Sequence, residues 1–319
     1  MTNLQQQIKD KFPEYPFLFD LPMADKTYFK IGGPAEVYIE LRDKREISEL
    51  VSWCKKTRVS FKFFGGGSNV LVSDEGIKGV VIKLIHNDVE FLSEENDQGK
   101  FLIGAGAKTA LAVRTTIDGG FTGLEYFLGV PGNIGGAIYN NAHYLESLIG
   151  DHVSRVEVLN ESGEFVWLDN KECEFGYDTS RFQKTKEIIY QAEFILDKGD
   201  KEESLGLIKK ATKYRAQTQP LGMPSSGCIF QNVPNNDELK KRFPQFAEKK
   251  HVPGGFLIDQ AGLKGEKEGD IEVSAKHAAF FVNHGQGTAS QVKKLINRVK
   301  STVADKFDVE LKEEVFWLE

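Results

Sequence analysis

The chain has 319 residues, 40% apolar and 11% aromatic, with a formal charge of −6 at neutral pH. That length exceeds what one hydrophobic core usually serves, so two or three domains are expected. The acidic balance argues against a nucleic-acid partner, which needs a clustered excess of Lys and Arg, and no apolar run approaches the ~20 residues of a membrane span.

Residues 1–20 alternate charged and aromatic residues without a basic stretch leading into an apolar one, so no signal peptide is expected. REISELVSWCKK, residues 45–56, sets Ile47, Leu50, Val51 and Cys54 on one face of a helix, which makes Cys54 a buried helix residue. FKFF and then VLVSDEGIKGVVIKL have the β-branched density and turn residues of short strands. Residues 108–118 predict a helix closed by Gly119 and Gly120. From 153 to 196 the pattern returns to strands (VSRVEVLN, FVWL, EIIYQAEFIL), with Cys173 in a polar connection and without a role. Residues 198–216 are charged and helical in tendency, and a domain break is expected near 200–210. AAFFVN predicts a strand, then Val292, Leu295, Ile296, Val299 and Val303 form the seam of an amphipathic helix, and VFWL closes as a short strand. Helices and strands intermix without regular alternation, so the class is α+β, multidomain. The three cysteines form no CxxC pair and are too few for a disulfide framework, which suits a reducing cytoplasm.

Three glycine-rich loops carry the first functional signal. FKIGGPAEVYIE, FFGGGSNVLVSDEG and GLEYFLGVPGNIGGAIYNNA fall within about 110 residues of one another. Glycines let main-chain N–H groups approach an anion with no Cβ in the way. None of the three is a Walker A loop, and the GGGSN run continues as a strand, so it is not a GxGxxG turn opening a helix either. Each alone reads as a turn; together they point to one extended, dinucleotide-sized ligand. In PSSGCIFQN, the residue type and spacing leave Cys228 open as core residue, metal ligand, nucleophile or proton donor.

Taken in order, TYFKIGGPAE, FFGGGSNVLV, GLEYFLGVPGNIGGA, FGYDTSRFQ, YRAQTQP, PSSGCIFQN, GGFLIDQAGLKG, KHAAFFVN and LKEEVFWL resemble the UDP-N-acetylenolpyruvoylglucosamine reductases over about residues 25–318. These are flavoenzymes of bacterial peptidoglycan precursor synthesis, in the cytoplasm. The resemblance implies a multidomain flavoprotein related to p-cresol methylhydroxylase and vanillyl-alcohol oxidase. Its parts would be a first FAD-binding subdomain at 1–86, a second at 87–205 and a C-terminal substrate-binding domain at 206–319. It implies non-covalent FAD against Gly65, Gly66, Gly67, Ser68, Asn69, Gly132, Gly135 and Gly136, and NADPH as hydride donor. The substrate would be a UDP-sugar enolpyruvyl ether, with no metal, no membrane, no nucleic acid and no obligate protein partner. The short distance from FQN to the C-terminus suggests the type without an extra substrate-capping insertion.

The implied reaction adds hydride to the terminal alkene carbon, so charge on the carbon beside the carboxylate must be stabilised and protonated. The family's proton donor is usually a serine; here Cys228 falls in that slot, and a thiol, with a reference pKa of about 8.5, is a stronger acid than an alcohol. Glu314 matches the family's glutamate in Leu-x-x-Glu-Val, and strand alternation leaves Glu313 facing solvent. The family's Tyr-Arg-x-Ser reads Tyr177-Asp178-Thr179-Ser180-Arg181 here. Aspartate cannot stabilise enolate charge, so Arg181 is expected to return its guanidinium to that point if 178–181 turns helically, with Arg215 the alternative. Tyr177 and Asn232 match substrate-contacting positions, and Tyr214 and Arg215 are candidates for the diphosphate. His277 reads as structural or supporting, His284 as a turn residue. Two rivals stay open: another FAD-dependent oxidase or dehydrogenase of this architecture, and a flavin-binding protein without turnover.

Overall fold

A computed structural model describes every residue except Glu146. The chain divides into two compact units that interleave in sequence: Met1–Leu21, Ala35–Gly66 and Lys78–Tyr214 in the first, Pro22–Pro34, Gly67–Ile77 and Arg215–Glu319 in the second. No helix of the described residues is long and apolar enough to cross a membrane.

Beside the two-stranded pair His143–Tyr144 and Ser147–Leu148, the described residues of the first unit form two main sheets. The smaller has the order Leu18–Pro22, Pro34–Leu41, Ile77–Leu84, Phe61–Phe64, its last two strands parallel. The larger runs Phe165–Asp169, Val153–Leu159, Ile188–Lys198, Gln98–Gly104, Val89–Glu95, all antiparallel neighbours, with Phe121–Thr122 added beside Ile188–Lys198. The helix Lys44–Thr57 starts where Asp43 accepts from the N–H groups of Arg45 and Glu46, and it buries Ile47, Leu50, Val51 and Cys54 as the spacing predicts. Burial pushes the Cys54 thiol up to about 12, which removes it from chemistry at neutral pH. One apolar core runs from Val37, Ile39 and Val80 to Phe101, Ile103 and Phe194, straight across the boundary expected at 86. The two stretches expected as separate subdomains therefore bury their apolar faces together. The break expected at 205/206 falls inside the helix Lys201–Thr218, and the change of unit comes at Tyr214/Arg215.

Glu125, from the motif GLEYFLG, is a buried carboxylate of this unit. It accepts from Thr122 Oγ1 at 2.5 Å, Ser204 Oγ at 2.6 Å and Gly123 N–H at 2.8 Å. Burial pushes its pKa up, but these hydrogen bonds outweigh it and hold the group below the ordinary carboxylate range. The contact fastens the glycine-loop segment to the helix Lys201–Thr218.

The second unit is built around the helix Ala289–Phe307. Thr288 and Gln291 form a capping box at its start, and Asp74 accepts from the N–H groups of Ala289 and Ser290 at 2.7 and 2.8 Å. Val292, Leu295, Ile296, Val299 and Val303 are buried as the seam predicts, among Phe29, Phe230, Phe281 and Leu311. A three-stranded antiparallel sheet (Lys267–Glu268, Ile271–Val273, Phe281–Asn283) joins this core. Separately, the chain end Phe316–Leu318 pairs in parallel with Val70–Val72, the strand that follows GGGSN.

Candidate active site

In the first unit the glycine loops meet main chain to main chain. A Cβ on Gly66 would come within 2.5 Å of Gly132 Cα, and one on Gly65 within 3.0 Å of Asn133 Oδ1. Gly135 lies against Ala105, whose carbonyl accepts its N–H at 2.9 Å, and Gly136 N–H donates to Asn133 Oδ1 at 3.0 Å. Asn133, at 7% exposure, is the hub of this arrangement. Sequence reading passed over it, although an Asn just ahead of a helical run is a recognisable cap. Five glycines grouped about one asparagine leave a patch of bare main chain that a diphosphate can approach closely, so these residues fit a dinucleotide cofactor such as FAD.

Gly67, Ser68 and Asn69 belong to the second unit. Gly67 has φ +73°, the left-handed region glycine tolerates, and its carbonyl accepts from Tyr28 N–H at 2.9 Å. Asn69 Nδ2 donates to the Glu314 carbonyl at 3.2 Å, and its own carbonyl accepts from Phe316 N–H at 3.1 Å. Glu314 N–H in turn donates to the Ile229 carbonyl at 2.8 Å, and Phe230 pairs with Glu313 across the same join. On its other side the segment pairs Cys228 with Phe280, and Ile229 N–H donates to the Ala279 carbonyl at 2.8 Å. Asn69, Cys228 and Glu314 thus come from three distant stretches onto adjoining backbone.

Gly227, at φ +85°, makes the turn that presents Cys228. Cys228 is half-buried, whereas Cys54 and Cys173 lie in the core; burial pushes Cys173 up to about 12 as well. His277 accepts from Ala279 N–H at Nδ1, and burial holds it below the ordinary imidazole value, as suits a structural residue. His284 contacts Glu272 at 2.8 Å after the strand Phe281–Asn283. Glu313 does not face solvent as alternation suggested: it accepts from Lys300 Nζ at 2.5 Å and Trp317 Nε1 at 2.7 Å. Bends at Ile229 and Val315 interrupt regular alternation here. Asn232 Oδ1 accepts from Gly254 N–H at 3.2 Å, and Arg215 Nε donates to Gln219 Oε1 at 3.0 Å, both in the second unit.

The expected helical turn over 178–181 is absent. Gly176 and Thr179 close a tight turn, Asp178 sits at its tip with φ +52°, and the helix begins only at Phe182. Arg181 accordingly does not return to position 178. Its Nε and second terminal nitrogen donate to the two oxygens of Glu187 at 2.9 and 3.1 Å, and the remaining nitrogen to the Glu172 carbonyl at 3.1 Å. The helical turn is what the structure corrects; the Arg181 guanidinium is held in place by a bidentate carboxylate. Tyr177 is 38% exposed, its ring 4.9 Å from that of His143. Tyr214 lines a recess of about 240 Å³ in the first unit with Tyr126, Tyr144, Leu207 and Lys210.

A family model described as "FAD binding domain" matches residues 35–169, and one described as "UDP-N-acetylenolpyruvoylglucosamine reductase, C-terminal domain" matches residues 219–318. A glycine patch fit for a dinucleotide, with these two domains in this order, defines an FAD-dependent oxidoreductase. The chain is 34% identical to the UDP-N-acetylenolpyruvoylglucosamine reductase of Staphylococcus saprophyticus over 98% of its length and 95% of the relative's. It is 36% identical to that of Carboxydothermus hydrogenoformans over 94% and 93%. The crystal structure of the Thermus caldophilus reductase superposes with a TM-score of 0.75 at 29% identity, covering 96% of this chain and 99% of that one. The chain belongs to the UDP-N-acetylenolpyruvoylglucosamine reductase family.

Proposed function

We propose that this protein reduces the enolpyruvyl ether of UDP-N-acetylglucosamine to UDP-N-acetylmuramate in the cytoplasm, with NADPH as reductant. The observation that carries the reading is the joining of Asn69, Cys228 and Glu314 on adjoining backbone, in a chain of this family.

Gly65, Gly66, Gly67, Ser68, Asn69, Gly132, Gly135 and Gly136 are the residues proposed to hold FAD. Bound there, FAD supplies to the terminal alkene carbon the hydride that NADPH provides. Cys228 then acts on the carbon beside the carboxylate: its S–H bond breaks as a C–H bond forms, and the thiolate is reprotonated from solvent. One substrate, one NADPH and one proton give one product and one NADP⁺. Glu314 orients the enolpyruvyl group beside that thiol. Tyr177, Asn232 and Arg215 are proposed contacts to the substrate, Arg215 offering a planar fork to phosphate oxygens. Arg181 is given a supporting role, its guanidinium joined to Glu187 and to the Glu172 carbonyl.

Two measurements on the purified protein test this. It should be yellow and release FAD on denaturation, and NADPH consumption should require the enolpyruvyl substrate. A flavin-loaded protein that ignores that substrate would fit a different flavoenzyme or a flavin carrier, the reading that Asp178 favours.

A further inference from the structure

Within the second unit, the end of the chain changes neighbours over a few residues. Up to Glu314 it lies beside 228–231. Gln231 N–H donates to the Lys312 carbonyl at 2.9 Å, Phe230 pairs with Glu313, and Glu314 N–H donates to the Ile229 carbonyl at 2.8 Å. From Glu314 onward it lies beside the strand that follows GGGSN. The Glu314 carbonyl accepts from Asn69 Nδ2 at 3.2 Å, and Phe316–Leu318 runs parallel to Val70–Val72. Glu314 is therefore the crossing point, its N–H bound to one neighbour and its carbonyl to the other. The chain bends at Val315 to make the change.

A side-chain brace closes across that bend. Glu313 stands just before the crossing and Trp317 just after the bend, and Trp317 Nε1 donates to Glu313 Oε2 at 2.7 Å. The other carboxylate oxygen, Oε1, accepts from Lys300 Nζ at 2.5 Å. Lys300 belongs to the helix Ala289–Phe307; Lys293, seven residues earlier on the same face, sets its Nζ 5.7 Å from the centroid of the Trp317 ring. That ring also packs against the apolar core built by the helix seam. Both arms of the bend are thus tied to one helix through a single carboxylate. The Glu313 side chain is 23% exposed, so water competes only in part for its two charge-assisted bonds. One bridge pair on one side and a three-residue strand on the other leave the bend between them free to pivot, and the brace removes that freedom.

We propose that Glu313 is a positioning residue for the enolpyruvyl half-reaction. Braced by Lys300 and Trp317, it fixes the bend at Val315 and so holds Glu314 against the segment that carries Cys228. Glu313 acts through Glu314 and not on the substrate. This assignment rests on the function proposed above.

The test is rapid-mixing kinetics of the two half-reactions on the FAD-loaded protein. Glu313→Gln keeps the shape of the side chain but turns an NH₂ toward Lys300 or Trp317, both donors, which opens one arm of the brace. Reduction of the bound flavin by NADPH should stay within threefold of wild type. Reoxidation by the enolpyruvyl substrate should slow by about 10–10²-fold, the scale on which misplacing a group by ~1 Å is felt. Lys300→Met should slow the same half-reaction, and Lys300→Arg, which restores the cation, should recover most of the rate. In a Glu314→Gln background, Glu313→Gln should slow reoxidation by less than threefold, because the residue it acts through is already lost. A brace that served stability alone would leave both half-reactions of the folded protein alike.

A slowing of reoxidation by less than tenfold in Glu313→Gln, equal loss in both half-reactions, or the full loss repeated in the Glu314→Gln background overturns the assignment. Should Glu313→Gln not fold, Trp317→Phe, which keeps an aromatic ring and removes the N–H donor, decides on the same tenfold criterion. Wild-type protein that takes hydride from NADPH but is not reoxidised by the enolpyruvyl substrate defeats the proposed function itself, and this assignment with it.

Discussion

Replacing Glu125 by Gln removes a buried negative charge that three donors surround. Glu125 Oε1 receives Thr122 Oγ1 and Ser204 Oγ, and Oε2 receives Gly123 N–H. At 3% exposure, solvent cannot replace a lost partner. The glutamine keeps one acceptor but turns an NH₂ toward Gly123 N–H, so one hydrogen bond to a charged group, worth ~1.5–3 kcal/mol, is lost outright. The other two fall from charge-assisted to neutral, for a total of about 3 kcal/mol. At roughly 2–4 °C per kcal/mol for a unit of this size, the calorimetric transition of the first unit should drop by ~6–12 °C. The effect should depend on pH in a fixed sense. Glu125 titrates below the ordinary carboxylate range in the folded state. Its stabilisation is therefore fully present above the unfolded pKa and is lost as pH falls through the folded one. The gap between wild type and variant should be widest near neutrality and close in acid. A shift under 2 °C at neutral pH, or a gap that widens on acidification, would refute the reasoning.

Cys228→Ala should leave reduction of bound flavin by NADPH intact and lower enolpyruvyl turnover by about 10²–10⁴-fold, the range for a lost general acid; Cys228→Ser should keep substantial activity, read in the same assay. Gly66→Ala drives a Cβ to 2.5 Å from Gly132 Cα, and since both are main chain, separation of the loops should lower the FAD bound per polypeptide, read from visible absorbance. Arg181→Ala should destabilise the first unit by on the order of 2 kcal/mol by stranding Glu187. Turnover of its folded fraction should change less than tenfold; a hundredfold loss at unchanged melting temperature would return Arg181 to the substrate.

Elements whose contacts are local were legible. Ile47, Leu50, Val51 and Cys54, and likewise Val292 through Val303, declare their buried faces because a helix fixes which residues share a side. Cys228 and Glu314 were legible only as members of an ordered set of motifs, since their meeting depends on the register of 228–231 against 312–314. The helical turn expected over 178–181 was misread because the sequence could not tell it from a two-residue turn with Asp178 in the left-handed region. Glu313 was misread because alternation was assumed across a bend. The interleaving of the two units left no mark in composition: the chain changes unit between Gly66 and Gly67, inside a run of identical residues.

The most direct test of the central claim is turnover in D₂O with unlabelled NADPH, followed by NMR of the product. A proton from the solvent-exchanged Cys228 thiol predicts deuterium on the carbon beside the carboxylate, with one NADPH oxidised per UDP-N-acetylmuramate formed. No deuterium on that carbon, or no NADPH oxidation on adding the enolpyruvyl substrate, would contradict it.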